Sequence, residues 1–214
     1  MLSDEAKEPR AEAAPVAQDK NINDDQVDEQ SPSQRTEISE KYALRSHMDI
    51  VRGVQFLPSS LDTMASISED CMVKLWNLAE MEKLYSYTDG NPEPFLTLRG
   101  HTGPLLAVTG LTENRKGSQN ENLLFTAGIE GSIKVWSTPS VSDVNQYGST
   151  FDGKNYCIGT WADTEQEAIW ALKYHPYQDL LLAISANNAI NVWDCSQLDK
   201  TADNQGKIKH RFSY

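Results

Sequence analysis

The chain has 214 residues and a formal net charge of −12 at pH 7. This acidity argues against nucleic-acid binding, which depends on Lys and Arg to neutralise phosphates. No segment holds the roughly 18 consecutive apolar residues of a membrane span. The three cysteines are widely spaced and form no CxxC pair, which makes a zinc site or a disulfide framework improbable. We therefore expect a cytoplasmic protein with neither metal nor cofactor.

Residues 1–40 are predicted to form a disordered acidic linker. They hold eleven acidic and four basic side chains, together with Pro9, Pro15 and Pro32. Such a segment buries too little apolar surface to offset its chain entropy. Two interpretations stay open: a tail without a role of its own, or a regulatory tail phosphorylated at Ser31.

A tryptophan motif then occurs three times. It reads SEDCMVKLWNL at residues 68–78, AGIEGSIKVWST at residues 127–138 and ISANNAINVWDC at residues 184–195. The tryptophans lie 60 and then 57 residues apart, and apolar residues alternate with others before each of them. The alternation predicts a half-buried strand, and its recurrence predicts a repeat protein.

Two further segments of alternating apolar residues precede each motif, and the stretch before the next unit supplies a fourth strand. Four-stranded antiparallel sheets that repeat along a chain pack radially as the blades of a propeller. The predicted fold class is therefore all-β. The predicted segments are three blades at residues 41–78, 95–138 and 158–196, polar loops at 79–95 and 112–123, and a polar tail at 197–214 with the basic cluster KIKHRF.

The units resemble WD repeats, with Gly100-His101 early and Trp193-Asp194 late in a unit. This resemblance implies a relay in which a His, a Ser or Thr of the second strand, an acidic turn residue and the Trp indole bond to one another. In the third unit Asn187 replaces the acid and Glu165 stands about where the His belongs, so apolar packing should dominate there. The predicted relay residues are His47, Ser66 or Ser68, Asp70 and Trp76; His101, Thr126, Glu130 and Trp136; and Ser185, Asn187 and Trp193.

Longer stretches are similar to the striatin family in particular. They are LRSHMDIVRGVQF with SISEDCMVKLWNL, TLRGHTGPLLAV with FTAGIEGSIKVWSTPS, and the connector after Pro139 with AIWALKY. Striatins are scaffolds. The resemblance implies partners of four kinds: subunits of a serine/threonine phosphatase of the two-A class, Ste20-like kinases, Mob-type adaptors and striatin-interacting proteins.

Striatins also carry a coiled coil, which engages the phosphatase, and a calmodulin-binding stretch before the propeller. Residues 1–40 show no sustained heptad. Three blades are also fewer than the roughly four to eight that close a propeller. We expect the remaining blades in a longer product, of which this chain is a fragment, with a partner chain as the alternative. A truncated product without independent function is a further alternative.

The resemblance also implies a partner-binding face, where the turn before the first strand of each unit meets the turn before the third. Arg and aromatic side chains are typical anchors of protein interfaces. For Trp170, packing between blades is the alternative. The predicted face consists of Ile50, Arg52, Glu69, Pro104, Leu106, Ile129, Ala168, Trp170 and Ala186.

Enzyme motifs are absent from the sequence, which has no GxSxG, GxxxxGK[ST] or HExxH. We therefore predict a non-enzymatic interaction scaffold. Two alternatives are weighed against it. A substrate receptor of a ubiquitin ligase needs an upstream adaptor-binding element such as an F-box, and a hydrolase would use Cys157 or His175.

Overall fold

The structure is a computed structural model. It describes residues 43–57, 62–87, 92–110, 122–139, 141–144, 156–163, 165–196, 198 and 207–213. The predicted acidic linker, residues 1–40, lies outside the described residues. In the described part of the chain, no helix combines the length and apolar character that crossing a membrane requires.

Three antiparallel sheets of four strands each make up the described fold. The first sheet contains β1 (Val51–Phe56), β2 (Thr63–Ser68), β3 (Met72–Asn77) and β4 (Leu96–Arg99). The second contains β5 (Leu105–Gly110), β6 (Asn122–Gly128), β7 (Ser132–Thr138) and β8 (Cys157–Ala162). The third contains β9 (Ile169–His175), β10 (Leu180–Ser185), β11 (Ala189–Asp194) and β12 (Lys207–Ser213).

The all-β fold is confirmed, and so is the origin of the fourth strand in the first two sheets. Strands β4 and β8 precede the next unit and pair with the tryptophan-bearing strands β3 and β7. The prediction of a polar tail at residues 197–214 is wrong for its last part, because β12 pairs with β11 and completes the third sheet. Ile208, His210 and Phe212 alternate with basic residues there, and this period of two suits a strand.

A helix occupies part of the insertion that was predicted to be a loop at residues 79–95. Helix α1 (Leu78–Tyr87) follows β3 directly. The side-chain oxygen of Asn77 accepts hydrogen bonds from the backbone N–H groups of Ala79 and Glu80, at 3.1 and 3.3 Å, and so caps the helix. Met81 anchors the helix by burial. A short second helix, α2 (Val141–Val144), follows β7.

The sheets stack face to face in chain order. Strand β5 contacts both β1 and β9, so the first strands of the three sheets lie side by side. Each sheet has one face that carries its tryptophan, called here the Trp face, and an opposite face. The Trp face of the second sheet packs on the opposite face of the first, and the Trp face of the third packs on the opposite face of the second. This is how successive blades of a propeller pack.

Candidate interaction site and its structural relays

The first sheet contains a continuous chain of buried hydrogen bonds. Trp76 Nε1 donates to Ser66 Oγ at 2.8 Å, Ser66 Oγ lies 2.7 Å from His47 Nε2, and His47 Nδ1 lies 2.8 Å from Asp70 Oδ2. The predicted alternative Ser68 lies outside this chain, because its hydroxyl donates to the carbonyl of Asp49. Of the two serines, Ser66 is therefore the one that the structure brings into the relay.

Chemistry fixes the direction of this chain. An indole N–H can only donate and a carboxylate can only accept. Trp76 therefore donates to the Ser66 hydroxyl, and His47 donates from Nδ1 to Asp70. When the imidazole is neutral, Ser66 in turn donates to His47 Nε2. Every buried polar atom in the series has a partner, so the relay ties the segment before β1 to the turn between β2 and β3.

The second sheet repeats the arrangement with a longer carboxylate. Trp136 Nε1 donates to Thr126 Oγ1 at 2.7 Å, Thr126 Oγ1 lies 2.7 Å from His101 Nε2, and His101 Nδ1 lies 2.6 Å from Glu130 Oε1. Glu130 accepts further hydrogen bonds beside the one from His101. Its carboxylate also accepts from the hydroxyl of Ser132 and from the N–H and hydroxyl of Thr102.

The pKa values of the second relay follow from its burial and its hydrogen bonds. Burial favours the neutral form of Glu130, but the hydrogen bonds from His101, Ser132 and Thr102 outweigh it and hold the pKa of that carboxyl well below its usual range. Burial lowers the pKa of His101, although Glu130 opposes the shift, so the imidazole is neutral at pH 7. A neutral ring has the one donor and one acceptor that the relay needs.

The third sheet lacks this relay. Asn187 donates to the carboxylate of Glu165, so the two residues expected in the acid and histidine positions do meet. Arg211 of β12 donates to the same carboxylate at 2.8 Å. This exposed group of three replaces the buried imidazole and carboxylate, and Trp193 does not take part in it.

The prediction that Ser185 supplies the third relay hydroxyl is wrong. In the first two sheets the hydroxyl stands ten residues before the tryptophan, and in the third sheet this position is Ala183. The pairing agrees, because Ser66 lies opposite Lys74 and Ala183 lies opposite Asn191, each two residues before the tryptophan. Among the described residues, Trp193 Nε1 and Asn191 Oδ1 consequently have no hydrogen-bond partner.

Backbone hydrogen bonds join the same two turns in all three sheets. The N–H of Glu69 donates to the carbonyl of Ile50 at 2.9 Å. The equivalent pairs are Ile129 with Pro104 at 3.0 Å and Ala186 with Ala168 at 2.8 Å. Six of the nine residues predicted for the partner-binding face therefore lie beside one another in pairs.

The other three residues, Arg52, Leu106 and Trp170, occupy equivalent bulges. The pairing of the first strand with the second shifts register across each of them. A β-bulge inserts one residue into a strand and changes the direction of its side chain. Trp170 is 57% exposed, so it does not pack between the three sheets that the structure describes. Arg52 is also exposed and donates to Glu69 at 2.6 Å, while Leu106 is half-buried.

The relays have the composition of a hydrolytic triad, because each contains a hydroxyl, an imidazole and a carboxylate. Ser66 and Thr126 are buried, however, and each already accepts a hydrogen bond from an indole. Cys157 and His175, the residues of the hydrolase alternative, lie in different sheets, at the start of β8 and the end of β9. In the described part of the chain, no three His, Cys, Asp or Glu side chains group as a metal site.

Comparison with known proteins agrees with the repeat pattern. The family model of the WD domain, G-beta repeat, matches residues 38–77, 92–137 and 155–194. The chain is 34% identical over 154 residues to the striatin homolog of Dictyostelium discoideum and to striatin-3 of Mus musculus, covering 72% of this chain and 18% of each relative. It is 30% identical over 161 residues to striatin of Mus musculus, covering 74% of this chain and 19% of that relative.

The chain thus spans about a fifth of the length of these relatives. The three matched repeats coincide with the units that carry Trp76, Trp136 and Trp193. The chain belongs to the WD-repeat proteins, and its repeats place it in the striatin family.

Proposed function

We propose that this chain is a non-enzymatic scaffold that binds other proteins through the edge formed by the paired turns and the three bulges. The observation that carries the proposal is the recurrence of the bulge at Arg52, Leu106 and Trp170. Each bulge directs a side chain away from the regular sheet, beside a turn pair held by a backbone hydrogen bond.

The chemistry of this edge suits a protein partner. Trp170 offers a large exposed apolar surface on a strand, so binding would order little additional backbone. Ile50 and Ile129 extend the apolar surface, and Arg52 with Glu69 adds a charged pair. Aromatic and Arg side chains at the centre of an interface contribute most of its binding energy.

The partners follow from the striatin resemblance. We infer that the edge contributes to an assembly of phosphatase and kinase subunits with Mob-type adaptors and striatin-interacting proteins, located in the cytoplasm. In the family the phosphatase is engaged by the coiled coil, so the kinase, adaptor and interacting-protein classes are the expected direct partners of the repeats. The buried, fully bonded hydroxyls of both relays support a structural role for them, with no part in catalysis.

Co-expression of this chain with candidates from each partner class, followed by affinity purification, tests the proposal. Trp170→Ala is expected to lose at least one partner that the unsubstituted chain retains. Tyr177→Ala is the matched control, because Tyr177 is an exposed aromatic residue in the turn at the other end of the β9–β10 hairpin. Equal recovery with both variants would contradict the assignment of the edge, and failure of every class to bind would contradict the partner assignment.

A further inference from the structure

Thr102, in the turn before β5, is an exposed threonine whose hydroxyl is bound by one carboxylate. The hydroxyl donates to Glu130 Oε2 at 2.6 Å, and the backbone N–H of Thr102 donates to the same oxygen at 2.7 Å. The backbone bond has a counterpart in the first sheet, where the N–H of Met48 donates to Asp70 Oδ2 at 3.0 Å. The hydroxyl bond has none, because the equivalent residues of the other two units are Met48 and Gln166.

The sequence before Thr102 suits a protein kinase that selects arginine. Kinases distinguish their substrates partly by the charge pattern around the acceptor. An arginine stands three residues before a Ser or Thr twice in the chain, at Arg99 with Thr102 and at Arg115 with Ser118. The second pair lies outside the described residues. Arg99 is the last residue of β4 and is exposed, as Thr102 is.

A phosphate on Thr102 would enter an acidic junction between the first and second sheets. Glu130 is ionised at pH 7, because its hydrogen bonds outweigh its burial and hold its pKa well below the usual range. Burial raises the pKa of the Cys71 thiol, and the charges of Asp70, Glu130 and Asp49 raise it further, so these three carboxylates surround one point. A phosphate adds a charge of about −1.5 to −2 at pH 7 and is repelled by neighbouring carboxylates.

From this arrangement we propose that Thr102 is a phosphorylation site, and that its phosphate separates the turn before β5 from the β6–β7 turn. The γ-phosphoryl group of ATP is transferred to Thr102 Oγ1. A bond from phosphorus to this oxygen forms, the bond from the γ-phosphorus to the β–γ bridging oxygen breaks, ADP leaves, and the hydroxyl proton passes to the base of the kinase. Without that proton, Thr102 Oγ1 can no longer donate to Glu130.

The second relay controls access to the acceptor. The side chain of His101, directly before Thr102, is 1% exposed. A kinase that binds the segment in an extended form therefore needs the turn to open first, and such local opening is a normal property of folded proteins. Repulsion between the phosphate and Glu130 favours the same open state, so the modified turn closes less readily than the unmodified one.

Opening of this turn would also affect the edge that carries the paired turns. The N–H of Ile129 donates to the carbonyl of Pro104 at 3.0 Å and so joins the same two turns. Pro104 lies two residues after Thr102, and Leu106 of the second bulge follows it. Phosphorylation is thus expected to displace the middle part of the edge. Regulation of partner binding by this displacement rests on the proposed function, whereas the modification itself does not.

Phosphorylation in vitro tests the site on the full chain. Ser118→Ala is introduced first, so that one arginine-directed acceptor is left. The chain is incubated with ATP and a kinase that selects arginine three residues before the acceptor, and tandem mass spectrometry locates the phosphate. We expect phosphate at Thr102. Its absence would overturn the proposal, whether or not a peptide of residues 97–106 is modified under the same conditions.

Arginine substitutions test whether Arg99 directs the reaction. Arg99→Ala is expected to lose the phosphate on Thr102. Arg45→Ala is the matched control, because Arg45 is exposed at the equivalent place of the first unit and is followed three residues later by Met48, which has no hydroxyl. The Arg45→Ala chain should be phosphorylated like the chain with both arginines. Equal phosphorylation of Arg99→Ala would overturn the assignment of an arginine-directed site.

Amide hydrogen exchange measures what the phosphate does to the turns. The N–H of Ile129 is expected to exchange about tenfold faster in the phosphorylated chain, because its bond to Pro104 opens more often. The N–H of Ala186 is the control, since it makes the equivalent bond to Ala168 in the third sheet and should exchange at an unchanged rate. Unchanged exchange at Ile129, or equal acceleration at both amides, would overturn the proposed separation of the turns.

Affinity purification of both forms separates this proposal from the proposed function. The phosphorylated chain is expected to lose a partner that the unmodified chain retains. If neither form binds a partner, while Thr102 is modified and Ile129 exchanges faster, the proposed function fails and the phosphorylation site is supported. If both forms bind the same partner equally, the proposed function is supported and regulation of the edge by Thr102 is overturned.

Discussion

The second and third sheets hold their central tryptophans by different means. Trp136 donates to a hydroxyl that continues through His101 to Glu130. Trp193 has no acceptor among the described residues, and it stacks on Trp161 with ring centroids 5.6 Å apart. Both side chains are buried, and both strands keep the same pairing. A position in a repeat can therefore keep its packing while it loses its polar network.

The difference has a consequence for the turns. In the second sheet the relay fixes the β6–β7 turn from inside, through a carboxylate with four hydrogen-bond donors. In the third sheet the equivalent turn is tied by Asn187, Glu165 and Arg211 at the surface, where water competes for the same groups. The β10–β11 turn is thus held less firmly than the β6–β7 turn.

Thr126→Val removes the central hydroxyl of the second relay and should have the largest effect on stability. The change keeps the shape of the side chain but leaves Trp136 Nε1 and His101 Nε2 buried without partners. Each orphaned group costs roughly 1–3 kcal/mol, so a loss of about 3 kcal/mol is expected in urea denaturation. Thr160→Val, at an exposed position of β8, is the control and should change stability by less than about 0.5 kcal/mol.

Glu130→Gln should lower stability at pH 7 by about 2 kcal/mol, since hydrogen bonds to a charged group are lost. The substitution should also make the free energy of unfolding depend less on pH at acidic pH. The folded-state pKa of Glu130 lies below its ordinary value of 4.5, so its contribution is complete above that pH and is lost as pH falls through the lower folded value.

His101 adds a second acid-dependent loss in the unsubstituted chain. Its folded pKa lies below the ordinary 6.5, so the unfolded state binds a proton first and stability declines below that pH. Glu165→Gln in the third sheet is the control for Glu130→Gln, because Glu165 is exposed and its interactions are screened. Chemical denaturation from pH 7 to pH 3.5 measures how the free energy of unfolding depends on pH in each variant. An equal change of this dependence in both variants would contradict the difference between the two sheets.

Ala183→Ser should increase stability by about 1 kcal/mol. The new hydroxyl can accept from Trp193 Nε1 and donate to Asn191 Oδ1, so one substitution satisfies both unpartnered atoms. Ala127→Ser on β6 is the control, since it places a hydroxyl on a fully buried apolar face and should destabilise. Thermal unfolding compares the two; a lower melting temperature for Ala183→Ser would contradict the assigned register.

Cys71→Gly should give the smallest gain, about 0.5 to 1 kcal/mol. Residues five positions before each tryptophan have positive φ, namely 67° at Cys71, 72° at Gly131 and 59° at Asn188. Cysteine is strained in this conformation and glycine is not, whereas asparagine tolerates it well. Asn188→Gly should therefore gain less than Cys71→Gly, and an equal or reversed order in thermal unfolding would contradict this explanation.

Much of the fold could be predicted from the repeated tryptophan motif. The alternation of apolar residues before Trp76, Trp136 and Trp193 predicts a strand and indicates which of its side chains share a face. The missed features had weaker local signals. Helix α1 starts where Asn77 is followed by Glu80, a capping pattern at the beginning of an insertion that also contains Gly and Pro. Strand β12 alternates Ile208, His210 and Phe212 with basic residues, but its net charge suggested a solvated tail.

The relays could be predicted only where every member is present. Ser185 is a serine near the expected place, yet strand pairing assigns the relay position to Ala183. Counting ten residues back from the tryptophan would have revealed this. The stacking of Trp193 on Trp161 had no signal in the repeat, because it depends on β8 of the preceding sheet packing against β11.

The paired turns are joined in a way that lets the side chains of this edge be substituted. Main-chain atoms alone join Ile50 to Glu69, and the same holds for the pairs that follow along the chain. These backbone hydrogen bonds therefore place no constraint on the side chains at these positions. The one exception is that the donor residue cannot be proline, which has no N–H. The edge is therefore a ready framework for a randomised library, in which recognition could be selected anew while the sheets beneath keep their shape.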